Sequence, residues 1–217
     1  MTQSAAPLRR RRRAVAGVSV AGAGLLGVSL STTPGSPRFY VLTSGVAATW
    51  IVGGLAGAPL HLGRTRSGRR PVIAPVLAGT GAFGIFYGAA LVARRIPVLQ
   101  RALDNVLQYS DQGSPGLVLA TTLANGVGEE VFFRGALYAA AGPRHPVALS
   151  TAAYALSTST TRNPALILAS VAMGTLFAGQ RRATGGILAP ILTHVTWSAL
   201  MLRQLPPLFR AAARARV

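Results

Sequence analysis

The 217-residue chain has no cysteine and no lysine, and only four acidic residues. Without cysteine there is no disulfide, no thiolate metal ligand and no thiol nucleophile. Without lysine every one of the 22 basic side chains is an arginine, and with so few acids the formal net charge is +18. Half of the residues are apolar and the mean hydropathy is +0.43. Gly, Ala, Leu and Val fill runs of about 17 residues or more, the length a helix needs to cross a bilayer. The expected fold is therefore all-α: a polytopic membrane protein of about six to eight transmembrane helices. Such a charge could signal nucleic acid, but the arginines gather in short runs between apolar stretches, as in cytoplasmic loops. No nucleic-acid partner is expected; membrane lipid is. Arginine without lysine, beside abundant Ala, Gly and Pro, suggests a GC-rich bacterial genome and a multi-pass protein of the cell membrane.

Five segments follow from these patterns. Residues 1–13 end in the basic block Arg9 to Arg13, and residues 14–93 hold three apolar runs, at 14–31, 39–60 and 72–93. The first reads as a membrane anchor rather than a signal peptide, because the run exceeds the ~7–15 residues of a signal core. Residues 94–113 mix apolar side chains with Arg101, Asp104, Asn105 and Gln108, an interfacial pattern. Residues 114–202 carry four further runs, at 117–141, 147–161, 164–180 and 186–202. A basic tail, 203–217, closes the chain. Strict alternation through seven spans would leave that tail on the side opposite the N-terminal arginines, against the positive-inside rule. The short run 147–161 is the suspect member, expected to be tilted, broken or only partly inserted. There is no internal repeat and no second soluble domain.

The two glutamates, Glu129 and Glu130, are adjacent and lie at the middle of the run 117–141. A charge at the centre of a membrane helix costs roughly 2.5–3.5 kcal/mol on insertion scales. Neighbours on an α-helix point about 100° apart, so the two carboxylates divide their tasks. Glu130 precedes Arg134 by one turn, the favourable order for an ion pair, and Gly126 shares that stripe. Glu129 shares a face with Thr122 and Asn125 and has no charge partner in sequence, which suits a general base that activates water. In the last run His194 is central and Ser198 follows on its face; together they could donate hydrogen bonds to an oxyanion. Pro190 is expected to kink that helix. The same residues also fit a bland reading, in which an internal salt bridge and a packing histidine fix the helices. His61 and His145 read as interfacial.

This arrangement resembles the CPBP family of prenyl-protein (CAAX) endoproteases and bacteriocin-processing or immunity proteins. Their successive helices carry Glu-Glu-x-x-x-Arg, Phe-x-x-x-His and His-x-x-x-Asn. Glu129, Glu130 and Arg134 match the first motif completely, and Arg182-x-Thr184-Gly185-Gly186-x-x-x-Pro190 looks like the lead-in to the third. At the second motif Tyr154 stands for Phe and Thr158 for His; at the third, His194 is kept and Ser198 stands for Asn. The resemblance implies a core of about four helices in the C-terminal half. Glu129 would be the base, Thr158 would hold the water, and His194 with Ser198 would form an oxyanion hole. It implies hydrolysis of a peptide bond in a membrane-associated protein or peptide. A divalent metal such as zinc is a family possibility; the sequence itself requires no cofactor. A catalytically silent relative that binds a peptide or partner, and a proton-coupled transporter, are the alternatives. Oligomeric state is not legible.

Overall fold

The computed structural model describes the backbone of residues 5–214 and the side chains of residues 8–210. Of the expected basic end segments, residues 1–4 and 215–217 lie outside the described residues. Every regular element is a helix: α1 Ala5–Ser29, α2 Pro37–Gly57, α3 Ile73–Ala93, α4 Pro97–Asp111, α5 Pro115–Glu129, a π-helical segment Glu130–Leu137, α6 Tyr138–Ala141, α7 Pro146–Ser159, α8 Pro164–Thr184 and α9 Leu188–Arg214. The all-α expectation holds. α5, the π segment and α6 are one continuous rod, so the described residues form eight rods.

Local chemistry sets most of the starts. α2, α4, α5, α7 and α8 each begin with proline, whose fixed φ suits a first helical position and whose missing N–H is not needed there. Ser36 caps α2 by accepting from the Phe39 N–H at 3.1 Å. The Asn163 side chain accepts from the amides of Ala165 and Leu166 to cap α8. Gly185, at φ 70°, ends α8 in the left-handed conformation that glycine adopts without penalty.

Four boundaries correct the sequence expectation. α1 runs back through Arg9 to Arg13, so the basic block is helical rather than a separate segment. The suspect run is a continuous helix, α7, about 21 Å long at 1.5 Å per residue. α9 continues through Pro206 and Pro207 to Arg214, so no separate tail begins at residue 203. Pro190 sits in the first turn of α9, where no intrahelical donor is lost; it starts the helix rather than kinking it.

Six rods close a ring: α1 packs on α2, α2 on α5, α5 on α9, α9 on α8, α8 on α7 and α7 on α1. α3 lies outside it, against α9, while α4 touches α5, α8 and α9. Hydrogen bonds mark the two ends. At one, Arg12 Nε donates to the Ala140 carbonyl at 3.0 Å and the Ile187 amide to that of His61 at 2.8 Å. At the other, Tyr109 Oη lies 2.7 Å from the Leu30 carbonyl, to which it donates, and Asn163 Nδ2 donates to the Ala102 carbonyl at 2.7 Å. The rods therefore alternate between two ends, with α4 crowning the second. The first end carries Arg9 to Arg13, Arg64, Arg66, Arg69, Arg70, Arg144, Arg181 and Arg182; the second carries both aspartates and also Arg38, Arg94, Arg95, Arg101, Arg162, Arg203 and Arg210. The basic α9 terminus thus sits opposite the N-terminal arginines, and the conflict with the charge rule stands.

Of the seven expected spans, two are long and apolar enough to cross a membrane by length and composition: α2, with mean hydropathy 1.5, and α3, with 1.8. The others fail on charge, polarity or length, as α1 does with its five arginines and α7 with its 14 residues.

Close backbone approach fixes α2 against the π segment. A Cβ on Gly54 would stand 2.6 Å from Val131 Cγ1 and 2.8 Å from the Val131 carbonyl oxygen. Gly54→Val is expected to lower stability by about 1–3 kcal/mol, the usual cost of overpacking. Gly45→Ala, where a Cβ meets nothing within 4 Å, should be neutral or slightly stabilising. Thermal unfolding of both variants in detergent micelles checks this.

Candidate active site

The π segment carries the first motif. All eight of its residues are buried, and it crosses beneath the ring, touching α1, α2, α7, α8 and α9. Phe132 and Phe133 pack on Trp50, each with ring centroids 4.9 Å away, and Phe133 also meets Tyr154 at 5.1 Å. These aromatics make a dry floor in which charge survives only if paired.

Glu130 and Arg134, both fully buried, meet that condition. Arg134 Nη1 donates to Glu130 Oε1 at 3.1 Å, keeping the expected pair although the segment is wound as a π-helix rather than an α-helix. Arg134 Nη2 donates to the Gly174 carbonyl at 3.2 Å. Its guanidinium carbon lies 4.7 Å from the Tyr154 ring centroid and 5.1 Å from that of Phe177. Faces of aromatic rings attract a desolvated cation, so the arginine is held by one carboxylate, one carbonyl and two π systems. A Cβ at Gly174 would come within 3.3 Å of Nη2.

His194 reaches the same carboxylate from α9. Its Nδ1 is 2.9 Å from Glu130 Oε1, and its ring stacks on Phe177 at 4.6 Å between centroids. The ring lies across Gly126, where a Cβ would be 3.3 Å from His194 Cδ2. With Nδ1 turned to Glu130, Nε2 faces Glu129, 3.9 Å from its Oε2. Glu129 also accepts a 2.7 Å hydrogen bond from Tyr154 Oη. Its side chain keeps 14% of its surface exposed, against none for Glu130. The two adjacent carboxylates thus occupy different surroundings: Glu130 is locked in the floor and Glu129 faces a cavity.

That cavity has a volume of about 350 Å³ and runs from Glu129, Tyr154 and His194 up to the apolar face of α4, which contributes Leu103, Val106 and Leu107. Thr158 and Ser198 line it, as do Thr122 and Asn125. Asn125 Nδ2 donates to the carbonyls of Thr43 and Thr121. Thr158 Oγ1 donates to the Tyr154 carbonyl at 2.9 Å, so its proton is committed to its own helix and only its lone pairs face the cavity. Glu129, Thr158, His194 and Ser198 therefore line one cavity, with Glu130 and Arg134 in the floor behind His194; His61 and His145 are exposed and elsewhere.

Sequence reasoning passed over the partner of Glu129. Tyr154 registered only as a substitution for phenylalanine, although a phenol in an apolar helix normally seeks a hydrogen-bond partner. The Phe177 stack and the Gly174 carbonyl left no motif to read.

Zinc does not fit this donor set. Glu130 Oε1 and His194 Nδ1 are committed to each other and to Arg134, and a guanidinium beside the carboxylate opposes a second cation. Glu129 and His194 Nε2 remain at the cavity; Glu130 Oε2 also lacks a partner, but it belongs to a carboxylate with no exposed surface, so the third protein side chain of a catalytic zinc is not presented there. Among the described residues no cluster of three or more His, Asp or Glu side chains is placed to hold a metal.

An all-helical ring around an apolar cavity, floored by a buried Glu–Arg–His cluster with one further glutamate facing inward, defines a class of helical proteins with an internal carboxylate–histidine site. Residues 111–200 match the family described as type II CAAX prenyl endopeptidase, Rce1-like. The chain carries a CPBP-family domain over that stretch, which takes in every candidate residue. No curated protein and no solved structure matches the chain.

The ion cluster yields a stability prediction. Arg134→Met leaves the Glu130 carboxylate buried without its cation and should cost about 3–5 kcal/mol. The double variant Glu130→Gln/Arg134→Met, which removes both charges but keeps an acceptor for His194, should recover part of that loss. Thermal unfolding of the three proteins in micelles reads the difference.

Proposed function

We propose that this protein is an intramembrane endopeptidase, in which a water activated by Glu129 hydrolyses a peptide bond of a membrane-associated protein or peptide. The observation that carries the reading is the pairing of Glu129 and His194 Nε2 across 3.9 Å at the polar end of an otherwise apolar cavity. A water at about 2.8 Å from both atoms spans such a gap. The family match supports the same activity.

In this reading the water oxygen attacks the carbonyl carbon as its proton passes to Glu129, and the carbonyl π electrons move onto oxygen. His194, held at Nδ1 by Glu130, donates from Nε2 to that oxyanion when the ring carries both protons, and Ser198 on the next turn supplies the second donor. Collapse of the intermediate breaks the C–N bond, and the amine takes the proton from Glu129. Glu130 and Arg134 hold His194 in place.

The outer surface supports a multi-pass protein of the cell membrane. Val20 of α1, Val41 of α2, Ile85 of α3, Leu156 of α7 and Leu168 of α8 are each more than 60% exposed, so apolar side chains face outward around the bundle, as lipid requires. The arginine-rich end would face the cytoplasm. The absence of cysteine gives a direct check: Arg66→Cys should resist a membrane-impermeant maleimide in intact cells, whereas Gln112→Cys should label. The reverse pattern inverts the orientation.

Activity is tested on the full chain reconstituted in lipid vesicles and incubated with a proteome-derived peptide library, with new termini read by mass spectrometry. Wild type should generate new termini, and Glu129→Gln should reduce the rate at least about 100-fold, the scale of lost general-base catalysis. Equal cleavage by Glu129→Gln would sink the mechanism. Library binding without any new termini would identify a silent relative instead.

A further inference from the structure

The family pattern places a histidine one turn after a phenylalanine on the second motif helix; here Thr158 and Tyr154 occupy those two positions. We propose that Tyr154 is a positioning residue that orients the Glu129 carboxylate from within the cavity and so offsets the loss of the histidine. The proposal rests on the proteolytic reading above.

Three observations carry it. First, the phenol is already engaged: Tyr154 Oη donates to Glu129 Oε2 at 2.7 Å, the length of a charge-assisted O–H···O bond. Among the described residues it is the one hydrogen bond that the Glu129 side chain receives; it takes one lone pair of Oε2 and leaves another for the water between that oxygen and His194 Nε2, 3.9 Å apart. Second, Thr158 cannot fill the role, because its hydroxyl proton goes to the Tyr154 carbonyl. The exchange of Phe and His for Tyr and Thr thus moves the polar proton one helical turn, from position 158 to position 154, on the face that lines the same cavity. Third, the ring that carries the phenol is fixed. It lies under Arg134, 4.7 Å from the guanidinium carbon, and against Phe133. The tyrosine therefore holds the arginine of the floor with its ring and the carboxylate of the cavity with its oxygen.

The phenolic proton is never transferred. Glu129 Oε2, on the side that faces His194 Nε2, takes the proton of the attacking water as the new C–O bond forms, and the leaving nitrogen receives that proton as the C–N bond breaks. Throughout, the Tyr154 O–H keeps the other side of Oε2 occupied and fixes the plane of the carboxylate, so that the lone pair toward His194 meets the water. Phenylalanine in this place would preserve the ring contact with Arg134 and remove only the hydrogen bond. The substitution that tests the role also returns the family residue.

The test uses the full chain in lipid vesicles and, as probe, the library peptide that wild type cleaves fastest. Tyr154→Phe is expected to lower kcat about 10- to 100-fold, the range of a hydrogen bond to a charged group, with KM changed less than about threefold. Tyr154→Phe/Thr158→His, which rebuilds the Phe-x-x-x-His pattern, should recover at least about tenfold. A second readout does not depend on turnover: the infrared carboxyl band assigned to Glu129 from the Glu129→Gln difference should shift in Tyr154→Phe and stay in Thr158→Ala. Wild-type kcat in Tyr154→Phe, an unmoved band, or a loss that appears in KM and is not rescued by Thr158→His overturns the proposal. The two readings fail separately. Cleavage by Glu129→Gln at the wild-type rate removes the proteolytic mechanism, whereas an inactive Glu129→Gln beside a fully active Tyr154→Phe removes the tyrosine alone.

Discussion

A guanidinium with no exposed surface, set among phenylalanines, governs this structure. Arg134 must find a counter-charge where solvent supplies none, and the solution is a network: Glu130 at 3.1 Å, the Gly174 carbonyl at 3.2 Å and the faces of Tyr154 and Phe177. Breaking one side of such a pair strands a charge in low dielectric, so each member constrains the others. Through Glu130 the constraint passes to His194, and through the two rings it passes to α7 and α8. The π segment, α7, α8 and α9 meet at these side chains, beside the apolar core that Trp50, Phe132 and Phe133 form with α1 and α2.

The cluster also separates two residues that are neighbours in sequence. Glu130, spent on Arg134 and His194, becomes part of the floor. Glu129 escapes that network, keeps some exposure and meets a phenol instead. In the proposed hydrolysis Glu129 is the base, and a carboxylate that is desolvated but not neutralised by a permanent cation suits that task. The His194 ring serves both sides, its Nδ1 on the buried glutamate and its Nε2 toward the open one.

The substitutions at the second and third motifs take on meaning within this frame. Threonine at position 158 is a loss when motifs are compared position by position, yet the tyrosine one turn earlier brings a hydroxyl to the same glutamate. Ser198 is shorter than the family asparagine but keeps a donor on the His194 face of α9.

The all-helical fold and the Glu130–Arg134 pair were legible in the sequence, because each rests on chemistry within about one helical turn; the prolines that open five helices were not read as helix starts. The convergence of Glu129, Glu130, Arg134, Thr158, His194 and Ser198 was expected from the ordered motifs and from resemblance. Other features lay beyond local reasoning. α1 absorbs its arginines and α9 absorbs the expected tail, since arginine is a good helix former and hydropathy marks apolar runs rather than helix ends. The π winding of Glu130–Leu137 has no signature in the motif. The hydroxyl proton of Thr158 was free on paper and is spent in the fold. Sequence by itself determined which charges would be costly and which cation stood one turn from Glu130. Only the tertiary structure decided that Tyr154, 25 residues from Glu129 along the chain, meets that carboxylate: a hydrogen bond depends on a separation in space, and the packing of α7 against the π segment sets it.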